Sequence, residues 1–500
     1  MLERDVKLAV SPAFHLPPLA DTIPGAVAGP EAESRLESVY FDTVDLRLAR
    51  WGCSLRHRSG GSQQRPGEWT LQLPAGRTGG LERTELTYPG PARRPPDEAE
   101  RLVRAFVRRA PLQAMARLST WRRQVALLDE SGRLLATIVD DEVSILQGRR
   151  VAARFRELEI DLGDGAGETG LTVLDPLLMR LQEAGDGLTD GTPKHVRALG
   201  PIASVPEVAI PSLPERPTAG EVVTSALAMA VVTLLRHDPG VRLSRDPEDV
   251  HQARVSLRRI RSNLRSFGTL LDPPWTAALR SEAGWLAAEL GAVRDREVLL
   301  ERVESEVAGL EPPDQRVAGS LTQRLEAELA AARSELLAAV DSDRYLDLVE
   351  ALVDAARQPR LTGDAANPAV EILPALVRRP WRQLRRAVDA LPGDPENAQL
   401  HRLRILAKRV RYAAEAAAPV GGEPAAKFAR RAAALQTVLG EHQDSVVARE
   451  WIRGAAGSGR RAFVAGLLYG LEQAHGTDAR ARWRGAWDRL AGRELRAWMR

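Results

Sequence analysis

Charged residues at alternating positions are the most chemically suggestive feature in the first 200 residues of this 500-residue chain. Side chains two apart on a strand share a face. Glu3, Asp5 and Lys7 therefore line up, as do Glu157, Glu159 and Asp161. Arg56 and Arg58 form another such pair, and Arg83 and Glu85 a further one. A solvated sheet face would account for any one set. Taken together they predict more. Two carboxylate pairs from opposite ends of the region, on strands that also carry cations, would give a hydrophilic bore if the strands close into a barrel. Such carboxylates suit Mg²⁺ or Mn²⁺, hard cations that prefer oxygen. The metal would bridge carboxylates and phosphate oxygens, while guanidinium groups neutralise the rest of a polyanion.

A second constellation lies in the C-terminal half. At about 100° per residue, His251, Arg254, Arg258, Arg261 and Arg265 fall on one helical stripe. His401, Arg404, Lys408 and Arg411 repeat it 150 residues later. Leu290-Gly291-x-x-Arg294-Asp295-x-x-Val298 is likewise echoed by Leu439-Gly440-x-x-Gln443-Asp444-x-x-Val447. Beside the stripes run apolar faces: Ala253, Leu257, Ile260, Leu264 and Phe267 in the first copy, Leu403, Ala407, Val410 and Ala414 in the second. Segments 251–265 and 401–411 contain no acidic residue. Stacked like charges destabilise a helix, so each stripe requires either acids on neighbouring helices, such as Asp295 and Asp444, or an anionic partner. The same stripe would hold a nucleic-acid backbone, but it lacks interleaved aromatics on which bases could stack. An anionic partner held there would be recognised electrostatically, with salt-dependent affinity.

These residues must be positioned by two kinds of domain. Before residue 200 short alternating segments predict β-strands, interrupted by helices around 97–109 and 172–183. From Pro201 to Pro217 five prolines predict a semi-rigid linker. Beyond it the pattern is helical almost throughout, and the internal repeat predicts a pseudo-symmetric pair of bundles. The expected division is thus 1–200, a linker at 201–217, and 218–500. The chain has 44% hydrophobic and 27% charged residues, which excludes disorder. Of its 70 basic residues only Lys7, Lys194, Lys408 and Lys427 are lysine. The single cysteine, the absence of an apolar leader and the lack of an uninterrupted apolar run of 18 residues together predict a cytoplasmic protein without a membrane span.

Glu3-x-Asp5-x-Lys7 resembles the ExExK signature that opens CYTH domains, the triphosphate tunnel metalloenzymes. Tyr40–Thr43, Leu55-Arg56-x-Arg58, Trp69–Leu73, Arg83-x-Glu85, Arg122, Asp141-x-Val143, Glu157-x-Glu159 and Lys194 follow in that family's order. The resemblance implies an antiparallel eight-stranded β-tunnel. Glu3, Asp5, Glu157 and Glu159 would hold metal. Lys7, Arg56, Arg58, Arg83, Arg122 and Lys194 would grip triphosphate, and Lys7, Glu157 and Glu159 would be catalytic. Asp5 stands where the signature has its second Glu, and Gln72 where the family has a phosphate-binding Lys. The helical half resembles CHAD domains, twin bundles that bind polyphosphate. It implies that His251, Arg254, Arg258, Arg261, His401, Arg404, Lys408 and Arg411 contact the polyanion. The expected function is hydrolysis of inorganic triphosphate or short polyphosphate. The alternatives are a binding protein with a degenerate tunnel and, ranked lower, a thiamine triphosphatase or adenylyl cyclase.

Overall fold

The computed structural model describes residues 5–19, 22–61, 67–74, 83–163, 171–185, 188–189 and 192–499. They fall into two compact units, Met1–Glu207 and Val208–Arg500.

The first unit is built on one antiparallel sheet. Its strands are β1 (Asp5–Val10), β2 (Val27–Ala28), β3 (Ala32–Asp42), β4 (Ser54–Gly60), β5 (Glu68–Pro74), β6 (Arg83–Pro89), β7 (Gln113–Leu128), β8 (Leu134–Gln147), β9 (Arg150–Leu162) and β10 (Leu188–Thr189). The order is β10-β1-β9-β8-β7-β3-β4-β5-β6, with β2 on β7. Eight strands of six residues or more match the expected eight, and two two-residue strands are added. Among the described residues the hydrogen-bonded path runs from β10 to β6 without closing. The second edge of β1 pairs with β10 at Leu8 and Ala9.

Register decides what the sheet displays, because directly paired residues point to the same side. Lys7 pairs with Glu159, Glu157 with Asp141, and Asp141 with Arg122. Arg122 pairs with Ser34, Ser38 with Arg58, and Tyr40 with Arg56. Gln72 pairs with Ser54 and with Glu85. One face thus collects the charges. The other buries Leu8, Ile138, Leu158 and Ile160 against Val173, Leu177 and Leu181. Of the short helices α1 (Arg47–Arg50), α2 (Asp97–Leu102), α3 (Arg104–Val107), α4 (Leu171–Glu183) and α5 (Lys194–Leu199), α4 supplies that cover.

Part of the proline-rich stretch is not a free linker. Pro201–Ser204 form a 3₁₀ turn. Glu207 is buried, accepts a 2.7 Å hydrogen bond from Trp51 Nε1, and pairs with Arg108, whose Nη1 donates at 3.0 Å. A buried carboxylate needs such partners, and here they tie the stretch to the first unit.

The second unit comprises α6 (Ala219–Leu243), α7 (Pro247–Ser266), α8 (Pro273–Ala308), α9 (Pro312–Val340), α10 (Asp343–Arg357), α11 (Ala369–Asp389), α12 (Asn397–Ala455) and α13 (Gly459–Leu490). The repeat is visible in their starts: α11 and α12 begin 150 residues after α6 and α7. The single α12 corresponds to α7 and α8 joined. It breaks at Gly422, whose φ of 60° and ψ of −156° suit glycine. A pseudo-twofold axis relates the copies. Ala219 N–H donates to Asn367 O and Ala369 N–H to Pro217 O, each at 2.9 Å, an exchange that maps onto itself under a shift of 150 residues. The predicted apolar faces are buried: Leu257, Ile260, Leu264, Ala407 and Val410 have no exposed surface. Among the described residues α6 alone is long and apolar enough to cross a membrane, with mean hydropathy 1.5 over 18 residues, and 61% of that window is buried among its neighbours.

Candidate functional site

The sheet face brings three carboxylates together. Oxygens of Asp141, Glu157 and Glu159 lie within 4.8 Å of one another. Glu157 and Glu159 are two apart on β9, and Asp141 stands opposite Glu157 on β8. Asp141 is the residue that strand-by-strand reading of metal ligands missed. It stands in an Asp140-Asp141-Glu142 run on a strand that alternation alone does not place beside β9.

Cations hold the cluster. Lys7 Nζ lies 3.0 Å from Glu159 Oε1, and Lys194 Nζ 3.0 Å from Glu157 Oε1. Lys194 also contacts Asp141. Arg122 grips Asp141 bidentately, Nε to Oδ1 at 2.8 Å and Nη2 to Oδ2 at 2.7 Å. Burial raises the Asp141 pKa, but Lys194 and Arg122 outweigh it and hold the carboxyl below its usual range. For Glu157 burial wins over the Lys194 charge and the pKa rises. An all-oxygen donor set of this kind fits a hard divalent cation such as Mg²⁺ or Mn²⁺.

Beside the carboxylates the face is cationic. Arg58 is pushed down to about 10 by burial and then by the charges of Arg56 and Arg122, so three guanidinium groups crowd one region. Arg56 has one carboxylate at the limit of pairing, Glu85 at 4.0 Å. Gln72 donates its amide to Glu85 Oε2 at 2.8 Å and accepts from Ser54 Oγ at 3.1 Å. Glu3 lies outside the described residues. Asp5 and Arg83 are described only as backbone, opposite Asp161 and Pro74 respectively, and their side chains lie outside the description.

In the helical unit the two stripes face each other, because α7 packs on α12. Lys408 is pushed down to about 8 by burial and then by Arg404, Arg258 and Arg254, with Asp444 opposing. Cations from both copies thus crowd one place. Burial, then Arg409, Arg280 and Arg261, lower Arg265. Arg280 and Arg409 extend the patch. Arg280 lies outside the repeated motif, so no spacing signal pointed to it. Acids neutralise the same position in both copies, Arg254 with Asp295 at 2.9 Å and Arg404 with Asp444 at 3.6 Å. Arg411 is held by Glu415 at 2.6 Å. Among the described residues no carboxylate lies within ion-pair distance of Arg258, Arg261, Arg265 or Lys408. Burial and then Arg294 depress the His251 pKa, while His401 Nδ1 contacts Gln443 Oε1 at 2.8 Å. The symmetry extends to contacts, since the Arg254 and Arg404 guanidinium groups lie over Gly291 and Gly440 respectively.

Comparison with known proteins accounts for both units. Residues 1–194 match the CYTH domain and residues 225–453 the CHAD domain. "Uncharacterized protein MT2285" of Mycobacterium tuberculosis (strain CDC 1551 / Oshkosh) is 34% identical over 467 residues, covering 88% of this chain and 86% of its own. Among solved structures, PptA from Streptomyces chartreusis is similar at 25% identity and a TM-score of 0.46, over 54% of this chain and 99% of that one. The CHAD domain from the plant Ricinus communis is similar at 26% and 0.48, over 57% and 96%. The chain belongs to the family in which a CYTH domain is followed by a CHAD domain. CYTH proteins are metal-dependent and often triphosphatases or cyclases, and the two domains relate to triphosphate and polyphosphate binding.

Proposed function

We propose that the N-terminal unit hydrolyses inorganic triphosphate or short polyphosphate with a divalent cation, and that the helical unit binds polyphosphate. The observation that carries the reading is the convergence of Asp141, Glu157 and Glu159 beside Lys7, Lys194, Arg122, Arg56 and Arg58. Asp141, Glu157 and Glu159 would hold Mg²⁺ or Mn²⁺, and the family resemblance adds Glu3 and Asp5. When bound, the cation supplies charge neutralisation at the phosphate oxygens and an oriented water. The Arg56, Arg58 and Arg122 guanidinium groups suit phosphate oxygens bidentately. Lys194 and Arg122, now on Asp141, can transfer their hydrogen bonds to the substrate as it enters. Water then attacks the terminal phosphorus, the bridging P–O bond breaks, and orthophosphate and diphosphate leave.

A binding-only reading is favoured by one observation. Gln72, in the place of an expected lysine, is engaged with Ser54 and Glu85 and adds no charge to the face. Phosphate release from tripolyphosphate, long polyphosphate, ATP and thiamine triphosphate, with and without chelator, separates the readings. Release from tripolyphosphate that chelator abolishes supports hydrolysis. Retention of polyphosphate without any release supports binding alone.

Lys408 gives the helical site a pH signature. Its pKa of about 8 in the free protein rises when a polyanion covers it, so binding takes up a proton. Affinity for long polyphosphate is therefore expected to fall as pH rises from 7 to 9, by up to about tenfold. In Lys408→Met that dependence disappears. Calorimetric titration at three pH values checks it, and a flat profile in the parent protein would remove Lys408 from the site.

A further inference from the structure

We propose that Glu306, Glu472 and His475, where α8 meets α13, form a second divalent-cation site, separate from the sheet. A carboxylate oxygen of each Glu and a ring nitrogen of His475 lie within 4.8 Å of one another. Glu472 and His475 are three apart on α13 and so share a face.

The first argument is Glu306 itself. Its side chain is only 7% exposed, and both carboxylate oxygens are buried without a hydrogen-bond partner. Arg302 is already committed to Glu472, donating from Nε to Oε1 at 2.8 Å and also from Nη2. One arginine against two carboxylates leaves a negative charge uncompensated in a buried place, which is costly. His475 Nδ1 stands 3.4 Å from Glu306 Oε1 with a side chain 60% exposed, which leaves a route from solvent. Burial and then the charge of Glu472 push the Glu306 carboxyl up to about 8.

The second argument is the internal repeat. Aligning α9 with α13 on their buried positions matches Leu321 with Leu468, Ala332 with Ala479 and Leu336 with Trp483. Leu325 then stands in the place of Glu472. Aligning Leu290 with Leu439 puts Ala455 in the place of Glu306. Leu325 and Ala455 are both fully packed members of one apolar core. One copy therefore makes this helix contact with apolar side chains, so the fold does not require acids here. The polar version needs an occupant. Two carboxylates and an imidazole suit Zn²⁺ or Mn²⁺ better than Mg²⁺ or Ca²⁺. The frame is rigid. Ser445 of α12 donates to Glu472 O, and α13 approaches so closely that a Cβ on Gly476 would sit 2.6 Å from Ser445 Oγ.

The test is titration of chelator-stripped full-length protein with Zn²⁺ and with Mn²⁺, by calorimetry and by elemental analysis after desalting. The parent is expected to bind one equivalent more than either Glu306→Gln or His475→Ala, and to gain several degrees in melting temperature that both variants lose. His475 is exposed, so His475→Ala keeps the fold even if Glu306→Gln does not. Equal stoichiometry in parent and His475→Ala, with no metal-dependent melting shift, would overturn the site. Because the comparison is of equivalents between variants, it holds whatever the sheet binds.

Discussion

Glu157→Gln is expected to lower phosphate release from tripolyphosphate by about 10²- to 10³-fold, the size of effect that follows loss of one group stabilising developing charge. Glutamine keeps the volume of a side chain that is 3% exposed, so the variant should fold. What it removes is one of three converging carboxylates and the partner of Lys194. Affinity of the helical unit for long polyphosphate should stay at the parent value. The parent activity should also carry an acid limb. Burial raises the Glu157 pKa before a cation binds, so protons compete with the cation and, at limiting metal, activity is lost as pH falls through a value above the usual glutamate range. Steady-state kinetics across pH 4–8 check both statements. A Glu157→Gln enzyme with the parent's rate would move the reaction away from this face.

Glu207→Ala should cost the N-terminal unit about 3–5 kcal/mol, the usual consequence of breaking a buried ion pair by removing one member. Arg108 and Glu207 are 2% and 4% exposed, and the Trp51 indole donates to the same carboxylate. Removing the acid takes from both donors the carboxylate they share. Replacing Arg108 and Glu207 together with apolar residues should recover much of the loss. The pH dependence has a definite sign. Burial raises the Glu207 pKa, but Arg108 more than offsets it and the net value is depressed. The stabilisation is therefore full at neutral pH and lost as pH falls through the depressed folded-state value. In a chain of two compact units a single midpoint is not informative. Hydrogen exchange over residues 47–60, read with and without the substitution, checks the local effect. Unchanged protection there would show the pair to be energetically silent.

What was legible in the sequence is what a period determines. Alternation put Glu157 with Glu159, and Arg56 with Arg58, on common faces, because a strand repeats every two residues whatever it pairs with. The helical period separated the stripes at His251 and His401 from the apolar faces now buried, and the 150-residue repeat announced the twin bundles. Periodicity does not say which strand lies beside which. The carboxylate cluster needed β8 next to β9, so Asp141 emerged only from the register. It also needed α5 to deliver Lys194 onto two acids from different strands. In the helical unit, the sequence marked two basic stripes. Only packing of α7 on α12 set Lys408 beside Arg254 and Arg258 and joined Arg280 to the patch. Glu306, Glu472 and His475 had no motif, since their meeting depends on two helices distant in sequence. Local spacing thus assigned each charge its face, and non-local contact decided which charges share a site, because pairing and packing join residues that no chain period connects.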